Sequence, residues 1–338
     1  MPTYSSKFAS GLTAIAIGMS MMAASMPAFS KVLRLGVLSS NEHPSVLGAK
    51  KFAELVEAET GGSLKVKVYD NSQLGPESQQ IAALQGGIQD MFVSPTTTLV
   101  NTIPSFGIFD LPFLFENAAE ADKILDGKVG EQLLEKMPEK GMVGLAYWEN
   151  GFRNVTNSKH PINVVKDLEG LKIRVMPNQV YVDMFKALGA NPVPLPFAEL
   201  FTALDTKTVD AQENPFGIIA AGKFYEVQKY LTITNHSYNA FVLTFSKRKW
   251  DALSDGEREA IQRAALKARD HERKVSRDQD QKTLAALESY GMQVNEMSPA
   301  ERQKMRDMLR PVIDKVGKEV GEPLMDLLDQ EIQASRKP

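Results

Sequence analysis

Apolar and polar residues alternate with two different periods along the chain. Leu33, Leu35 and Val37 occupy every second position, which predicts a strand with one apolar face. Other segments carry apolar residues three and four positions apart, the spacing of an amphipathic helix. Predicted strands cover residues 31–38, 64–68, 90–93, 143–148 and 171–175, and predicted helices cover residues 45–60, 76–87 and 179–188. This alternation predicts an α/β protein with largely parallel sheets.

Residues 255 to about 288 have a different composition. The segment is highly charged, contains no proline, and has no glycine after Gly256. At ~1.5 Å per residue, a single helix of this length exceeds roughly 40 Å, which is longer than one small domain. We therefore expect a helix that bridges two lobes. The total of 338 residues also suits two domains.

The first thirty residues have the features of a secretory signal peptide. Lys7 is followed by an apolar run from about Leu12 to Met26, and small residues precede residue 31. An N-terminal membrane anchor is the alternative, although the run is shorter than the ~20 apolar residues of a transmembrane span. We expect residues 1–30 to be a signal peptide. Export without cysteines then indicates a bacterial periplasm.

Composition excludes several kinds of site. The chain has no cysteine, so disulfides, zinc–cysteine sites and a cysteine nucleophile are ruled out. Its four histidines are far apart in sequence and show no metal-ligand spacing, so we expect no metal and no cofactor. A formal net charge of −3, without a basic stripe, argues against nucleic-acid binding.

The motifs of common enzymes are missing as well. The nucleophile elbow, the paired-histidine zinc motif and the dinucleotide fingerprint do not occur. Residues 217–223 fit the spacing of a phosphate loop, but Phe224 stands where Ser or Thr must bind magnesium, and the segment is predicted to be helical. His43 and Glu77 are the candidates for proton transfer. We therefore expect a protein that is not an enzyme.

Two arginines are the candidate cations of a binding site. Arg153 follows the predicted strand at residues 143–148, and Arg174 lies inside a strand among Leu, Ile and Val. An arginine with such neighbours needs an anionic partner. A structural salt bridge to an Asp or Glu is the commoner role, and a bidentate clamp on a ligand carboxylate is the alternative.

Asn214 and Phe197 also allow two interpretations each. Asn214 precedes a predicted helix, where it could cap the helix, the commoner role, or hydrogen-bond a ligand. Phe197 follows a proline-rich connection and opens a helix. A phenylalanine there is more often a core residue than a platform for a ligand.

Four stretches in a fixed order resemble a known family. They are residues 73–77 (QLGPE), 150–157 (NGFRNVTN), 167–175 (DLEGLKIRV) and 209–215 (VDAQENP). This series resembles the solute-binding proteins of TRAP transporters, the tripartite ATP-independent periplasmic family, over about residues 31–333. Residues 223–230 and 234–236 are similar to its sialic-acid-binding members.

The resemblance implies a two-lobed periplasmic-binding-protein fold with a cleft between the lobes. Crossing strands and a long helix would join lobe I (residues 31–150 and 240–279) to lobe II (residues 151–239 and 280–330). A small organic acid would bind in the cleft, and the lobes would close over it. The loaded protein would dock on the small and large membrane subunits of the transporter without spanning the membrane itself.

The same resemblance implies roles for individual residues. Arg174 would hold the ligand carboxylate, and Arg153 would contact it as well. Asn214 would hydrogen-bond the carboxylate end, while Phe197 would pack on the ligand. Glu77 would reach ligand hydroxyls from the other lobe.

Some positions depart from the sialic-acid pattern. Ser94 and Pro95 stand where those members carry Ala-Glu, and Thr98 stands where they carry an arginine. Because that charged pair serves a long polyol tail, its absence predicts a smaller ligand.

Further polar residues are expected to line the cleft. They are His43, Asn150, Asn178, Ser94 and Tyr238. With Glu77 they favour ligand hydroxyls, so we expect a hydroxylated monocarboxylate such as a uronic or aldonic acid. Alternatives are a C4-dicarboxylate, with its second carboxylate on Arg153 or His43, a 2-oxo acid, or a ligand sensor acting without a transporter. For His43, beside Pro44, a structural role is the commoner one.

Overall fold

The computed structural model describes residues 1–2, 30–40 and 42–337. The predicted signal peptide therefore lies almost wholly outside the described residues. Within the described ranges, no helix is both long enough and apolar enough to cross a membrane.

One nine-stranded sheet runs through the described part of the chain. Its strands are β1 (Lys31–Gly36), β2 (Leu64–Tyr69), β3 (Met91–Pro95), β4 (Met142–Asn157), β5 (Lys172–Val175), β6 (Asn191–Pro194), β7 (Ala211–Asn214), β8 (Tyr230–Ser246) and β9 (Gln293–Glu296). The order across the sheet is β2-β1-β3-β8-β4-β7-β5-β6, and β9 also pairs with β8. Leu33 and Leu35 are buried, as the alternating pattern predicted.

The sheet is mixed, so the prediction of largely parallel sheets holds for its two flanks but not for its middle. β1 pairs in parallel with β2 and β3, and β5 pairs in parallel with β6 and β7. The longest pairing, between β4 and β8, is antiparallel. Alternation of apolar residues shows which face of a strand is buried, but it does not show the direction of the partner strand.

Two long strands form the middle of the sheet. β4 has 16 residues and β8 has 17, whereas the pattern predicted a strand only at residues 143–148. β8 pairs with β3 near its end and with β9 near its start, and the last residues of β4 pair with β7. Register shifts interrupt β4 around Glu149 and Arg153, and Gly151 has a φ of 110°, which glycine accepts readily. β4 and β8 therefore link the β1–β3 group to the β5–β7 group.

The predicted helices are confirmed within one residue at each end. The helices are α1 (Pro44–Glu59), α2 (Glu77–Gly86), α3 (Thr96–Leu99), α4 (Ala118–Leu125), α5 (Lys128–Glu135), α6 (Gln179–Ala187), α7 (Leu200–Asp205), α8 (Phe216–Ala221), α9 (Lys247–Asp251), α10 (Asp255–Ser289), α11 (Pro299–Met308), α12 (Arg310–Val320) and α13 (Glu322–Ser335). Short 3₁₀ helices include Pro104–Asp110 and Phe197–Glu199.

α10 is the long helix that the sequence predicted. It packs against α1, β4 and α8. Because α1 follows β1 and α8 follows β7, α10 contacts helices from both sides of the β4–β8 pair. Ala264 and Ala268 belong to the same apolar core as Phe52 of α1. Small side chains of this kind allow two helices to approach closely.

The C-terminal helices contact elements of both predicted lobes. α12 packs on α6 and on the 3₁₀ helix Pro104–Asp110, and α13 packs on α4 and α5. Val312, Leu324 and Leu328 are buried in this interface. The predicted lobe II segment at residues 280–330 therefore packs partly on residues that were assigned to lobe I.

We predict that Gly48→Ala destabilises the protein where α1 meets α10. A Cβ at Gly48 would lie 2.8 Å from Cβ and Cγ of Glu272 and 3.1 Å from Trp148. Overpacking of this kind lowers stability by about 1–3 kcal/mol. This loss exceeds the ~1 kcal/mol by which alanine stabilises a helix interior relative to glycine. In the matched control Gly256→Ala in α10, the new Cβ meets no described atom within 4 Å.

Urea unfolding of both variants measures this difference. The free energy of unfolding should fall for Gly48→Ala and should stay level or rise for Gly256→Ala. Equal stability of the two variants would contradict the close approach of the two helices.

Candidate functional site

Three neighbouring strands bring polar side chains to one small cavity. β4, β7 and β5 lie side by side and carry Arg153, Asn214 and Arg174. All three line a cavity of about 30 Å³. The other lining residues are Leu38, Ser39, Glu77, Pro95, Asn150, Met176, Phe197, Ile218 and Phe241. Since this set includes residues of β3 and β8, both groups of strands contribute to the cavity.

Arg174 is a buried cation with an unused donor. The residue is 1% exposed, and its Nε donates to the carbonyl oxygen of Leu195 at 2.9 Å. Its Nη2 has no hydrogen-bond partner among the described residues. Burial lowers the pKa of Arg174 to about 10, while the nearby Glu77 charge acts in the opposite direction. A buried guanidinium with a free donor is a natural binding group for an anion.

Arg153 has a structural partner and also a free donor. Its Nε and Nη2 donate to the Glu213 carboxylate at 2.5 Å and 2.9 Å. Although burial acts to lower it, the Glu213 charge raises the pKa of Arg153 above its usual value. Nη1 has no partner within the described ranges. The structural salt bridge considered for the two arginines therefore exists at Arg153, which still has one nitrogen available.

Asn214 and Phe197 both line the cavity. Nδ2 of Asn214 donates to Oε1 of Gln212 at 2.5 Å, and the side chain does not cap α8, whose N-cap residue is Pro215. The helix-cap interpretation is wrong because β7 continues through Asn214. Phe197 packs edge to face on Phe224, with ring centroids 6.2 Å apart. It is therefore both a packing residue and a wall of the cavity.

Glu77 and Asn150 add hydrogen-bond acceptors to the cavity. Glu77 is 5% exposed, and its Oε1 accepts a hydrogen bond from the backbone nitrogen of Phe197 at 3.0 Å. Asn150 donates through Nδ2 to Oδ1 of Asn239 at 2.9 Å. Its own Oδ1 is buried and has no partner in the described part of the chain. Arginine donors and oxygen acceptors therefore share one small cavity.

His43 and Asn178 lie outside this cavity and cap helices. Nδ1 of His43 accepts a hydrogen bond from the backbone nitrogen of Ser45 at 3.2 Å, at the start of α1. Burial lowers the pKa of His43 to about 3, so the imidazole is neutral. Oδ1 of Asn178 accepts a hydrogen bond from the backbone nitrogen of Val180 at 2.7 Å, at the start of α6.

Ser94 and Tyr238 are also outside the cavity lining. Both are buried, and both hydroxyls lack a partner among the residues that the structure describes. Ser94 precedes Pro95, which does line the cavity. Tyr238 packs edge to face on Phe115 and Phe152, with ring centroids 5.6 Å and 5.1 Å apart.

Asp110 is a buried carboxyl group that is not among the site residues predicted from the sequence. Oδ1 of Asp110 accepts from Oγ1 of Thr97 at 2.7 Å, and Oδ2 accepts from Nδ2 of Asn178 at 3.0 Å. Burial raises the pKa of Asp110 to about 7. Its sequence signal is a single carboxylate within the apolar run at residues 106–114, because a charged residue in such surroundings needs partners.

Two other kinds of site are not found. Residues 217–221 belong to α8, so the segment with phosphate-loop spacing is helical, as the sequence predicted. In the ranges that the structure describes, no group of three or more His, Asp or Glu side chains is arranged to hold a metal ion.

Together, the mixed sheet, the long bridging helix and the cavity lined by two buried arginines define a two-lobed α/β solute-binding protein. A model of the bacterial extracellular solute-binding proteins, family 7, matches residues 35–319. The chain belongs to this family, the solute-binding proteins of TRAP transporters, which confirms the resemblance seen in the sequence.

Three relatives illustrate the range of the family. The sugar acid binding protein DctPAm from Advenella mimigardefordensis, solved in complex with galactonate, is 43% identical with a TM-score of 0.89, covering 90% of this chain and 99% of that chain. The 2,3-diketo-L-gulonate-binding periplasmic protein YiaO of Escherichia coli is 38% identical over 88% of this chain and 91% of its own. The C4-dicarboxylate-binding periplasmic protein DctP of Rhodobacter capsulatus is 32% identical over 92% of this chain and 93% of its own.

We predict that His43→Asn makes the folded protein less sensitive to acid. The pKa of His43 is about 3 in the folded protein against an ordinary value of 6.5. Between these values the unfolded chain binds a proton that the folded protein does not. The free energy of unfolding therefore falls as the pH drops below 6.5, by about 1.4 kcal/mol per pH unit from this group. Asparagine keeps the helix cap but does not titrate.

Urea unfolding at about pH 7.5 and about pH 4.5 tests this linkage. The other titrating groups are common to both proteins, so the difference between wild type and His43→Asn isolates the histidine. The loss of stability on acidification should be smaller in the variant. An equal loss in both proteins would contradict a buried, neutral His43.

Proposed function

We propose that this protein captures a hydroxylated monocarboxylate, such as an aldonic or uronic acid, and delivers it to the small and large membrane subunits of a TRAP transporter. One observation carries the proposal. Arg174 Nη2 and Arg153 Nη1 are both buried and unpaired among the described residues, and both arginines line the same cavity.

Two arginine nitrogens suit the two oxygens of one carboxylate. A carboxylate removed from water needs charge-assisted hydrogen bonds, each worth about 1.5–3 kcal/mol net. Glu213 already neutralises Arg153, whereas Arg174 has no such ion pair within the described structure. Arg174 is therefore the main partner of the ligand charge, and Arg153 assists it. A net charge of −3 is no obstacle, because nearby charges dominate in a cleft.

The remaining polar groups favour hydroxyls over a second carboxylate. Oδ1 of Asn150 and the carboxylate of Glu77 accept hydrogen bonds, and Glu77 would repel an added negative charge. His43 is neutral and outside the cavity, so it is unsuited to bind a second carboxylate. The galactonate complex and the diketogulonate-binding relative support this preference.

A C4-dicarboxylate is the second candidate, since the relative from Rhodobacter capsulatus is named for that ligand. Arg153 Nη1 would then have to take the second carboxylate without help from His43.

Ligand entry requires the two lobes to separate. A cavity of about 30 Å³ holds about two or three water molecules rather than a six-carbon acid. Glu77 accepts from the backbone of Phe197, and Oγ of Ser40 donates to the carbonyl oxygen of Ala221 at 2.9 Å. We assign residues 31–150 and 240–279 to lobe I, and residues 151–239 and 280–330 to lobe II. With this assignment, both hydrogen bonds connect lobe I to lobe II. Hinge motion about β4 and β8 would open the cavity.

The proposed role is binding and delivery, without chemical conversion. The family is one of transport solute-binding proteins. We place the mature protein in the periplasm, after removal of residues 1–30, and propose that it docks on the membrane subunits without binding nucleic acid. A sensor that acts without a transporter is the alternative role.

We predict that Arg174→Gln weakens galactonate binding about 10- to 150-fold, the equivalent of one charge-assisted hydrogen bond. Glutamine keeps a polar group of similar reach but removes the charge that the ligand carboxylate needs. Arg310→Gln is the matched control, because Arg310 is exposed on α12 and pairs with Asp307. Isothermal titration calorimetry of residues 31–338 measures both affinities.

Each outcome of this titration separates the candidate functions. Unchanged affinity in Arg174→Gln, with galactonate binding to wild type, would contradict the carboxylate clamp. Binding of succinate but not galactonate to wild type would replace the sugar acid with a dicarboxylate. Recovery of chemically altered galactonate would contradict the non-catalytic role.

A further inference from the structure

A chain of buried polar side chains runs from the 3₁₀ helix Pro104–Asp110 to the cavity. Asp110 and Asn239 are 0% exposed, and Thr97 between them is equally buried. Oγ1 of Thr97 lies 2.7 Å from Oδ1 of Asp110 and 2.6 Å from Nδ2 of Asn239. Oδ1 of Asn239 lies 2.9 Å from Nδ2 of Asn150. Of these four residues, Asn150 alone lines the cavity.

The carboxylate of Asp110 sets the direction of the first hydrogen bond. An ionised carboxylate only accepts hydrogen bonds, so the Thr97 hydroxyl must donate to Oδ1, and Nδ2 of Asn178 must donate to Oδ2. The Asn178 amide cannot be reversed, because its Nδ2 also donates to the carbonyl oxygen of Thr97 and its Oδ1 accepts from the backbone of Val180.

The two threonine hydroxyls fix the orientation of the Asn239 side-chain amide. Once Thr97 has given its hydrogen to Asp110, its oxygen offers only lone pairs. Thr96 is in the same state, because its Oγ1 donates to the carbonyl oxygen of Ala240 at 3.1 Å. The group that faces both hydroxyls must therefore be a donor. It is Nδ2 of Asn239, at 2.6 Å from Thr97 and 3.4 Å from Thr96.

Asn239 then sets the orientation of Asn150. With Nδ2 of Asn239 directed at the threonines, its Oδ1 faces Asn150, and Nδ2 of Asn150 must donate to it. The reversed Asn150 amide would place two carbonyl oxygens against each other. The oxygen of Asn150 is therefore the atom left over, and it is buried without a partner in the described chain.

We propose that Asp110 is a positioning residue for ligand selectivity, which acts through Thr97 and Asn239 to direct the amide oxygen of Asn150 at one ligand hydroxyl. The inference rests on the proposed function in naming the ligand as a hydroxylated acid. We call this series of hydrogen-bonded side chains, Asp110, Thr97, Asn239 and Asn150, the relay. At the amide oxygen of Asn150, the relay favours a ligand group that donates a hydrogen bond. A ligand carbonyl or carboxylate oxygen is disfavoured there, because it would meet another acceptor.

The state of Asp110 decides the conditions of the test. Burial raises its pKa to about 7, although Thr97, Arg153 and Asn178 favour the ionised form and Glu213 opposes it. Experiments at about pH 8 keep the carboxylate ionised, which the relay requires.

Selectivity for a single hydroxyl tests the relay. Galactonate and analogues that each lack one hydroxyl are titrated into wild type and into Asn150→Ala, Asp110→Asn, Thr97→Val and Thr97→Ser. Wild type should bind one analogue about 5- to 10-fold more weakly than galactonate, the effect of one neutral hydrogen bond. Asn150→Ala should lose the discrimination at that position and so identify it.

The relay predicts which other variants share this loss. Asp110→Asn and Thr97→Val should lose discrimination at the same hydroxyl and keep it at the others, whereas Thr97→Ser should retain it, because it keeps the hydroxyl. Thr97→Val also covers the case in which Asp110→Asn does not fold. If all analogues weaken together in Asp110→Asn and Thr97→Val, Asp110 has only a structural role and the proposal is overturned.

A measurement on the free protein separates the relay from the ligand. The side-chain amide protons of Asn239 and Asn150 should exchange slowly with water in wild type and Thr97→Ser, and faster in Asp110→Asn and Thr97→Val. The exposed amide of Asn191, which donates to Gly170 at 3.0 Å, should not change.

The two measurements fail in different ways. If galactonate does not bind but the amide protons behave as stated, the sugar-acid function fails and the relay stands. Unchanged exchange at both asparagines in Asp110→Asn and Thr97→Val would overturn the relay, whatever the ligand.

Discussion

The burial of one guanidinium without a carboxylate of its own is the constraint on which the rest of this structure depends. Arg174 is buried, and it lines the cavity together with Met176 and Phe197. Removing a charge from water is expensive unless a partner replaces the lost solvation. The described residues supply one carbonyl oxygen and leave Nη2 open. A bound anion completes this arrangement, so the fold is organised around its ligand.

The architecture limits the cost of placing two arginines together. The neighbouring charge of Arg153 lowers the pKa of Arg174 further, and this repulsion would be larger if Glu213 did not neutralise Arg153. His236 lies 3.2 Å from the same Glu213 carboxylate and adds a hydrogen bond to it. One arginine is therefore charge-balanced by the protein and the other by the ligand. The mixed sheet makes this possible, because β4, β7 and β5 lie side by side and the antiparallel pairing places Asn154 of β4 opposite Asn214 at the end of β7.

The sequence revealed part of this site for physical reasons. Arg174 stands out because a cation in an apolar strand needs an anion, and the structure shows it buried with a free donor. The length of β4 was missed, because alternation reports a buried face but not the partner that extends a strand. Cleft residues such as His43 and Tyr238 were expected from their position in the chain, which does not show where a side chain points. Asp110 connects to the cavity through residues far away in sequence, and no local pattern records such pairs.

A crystal structure of the protein grown with galactonate tests the central claim most directly. The account predicts the ligand carboxylate at hydrogen-bond distance, about 2.7–2.9 Å, from Nη2 of Arg174 and Nη1 of Arg153. It also predicts a ligand hydroxyl on Oδ1 of Asn150. A complex in which the carboxylate lies away from Arg174, or in which Glu77 pairs with Arg174 in its place, would contradict the account.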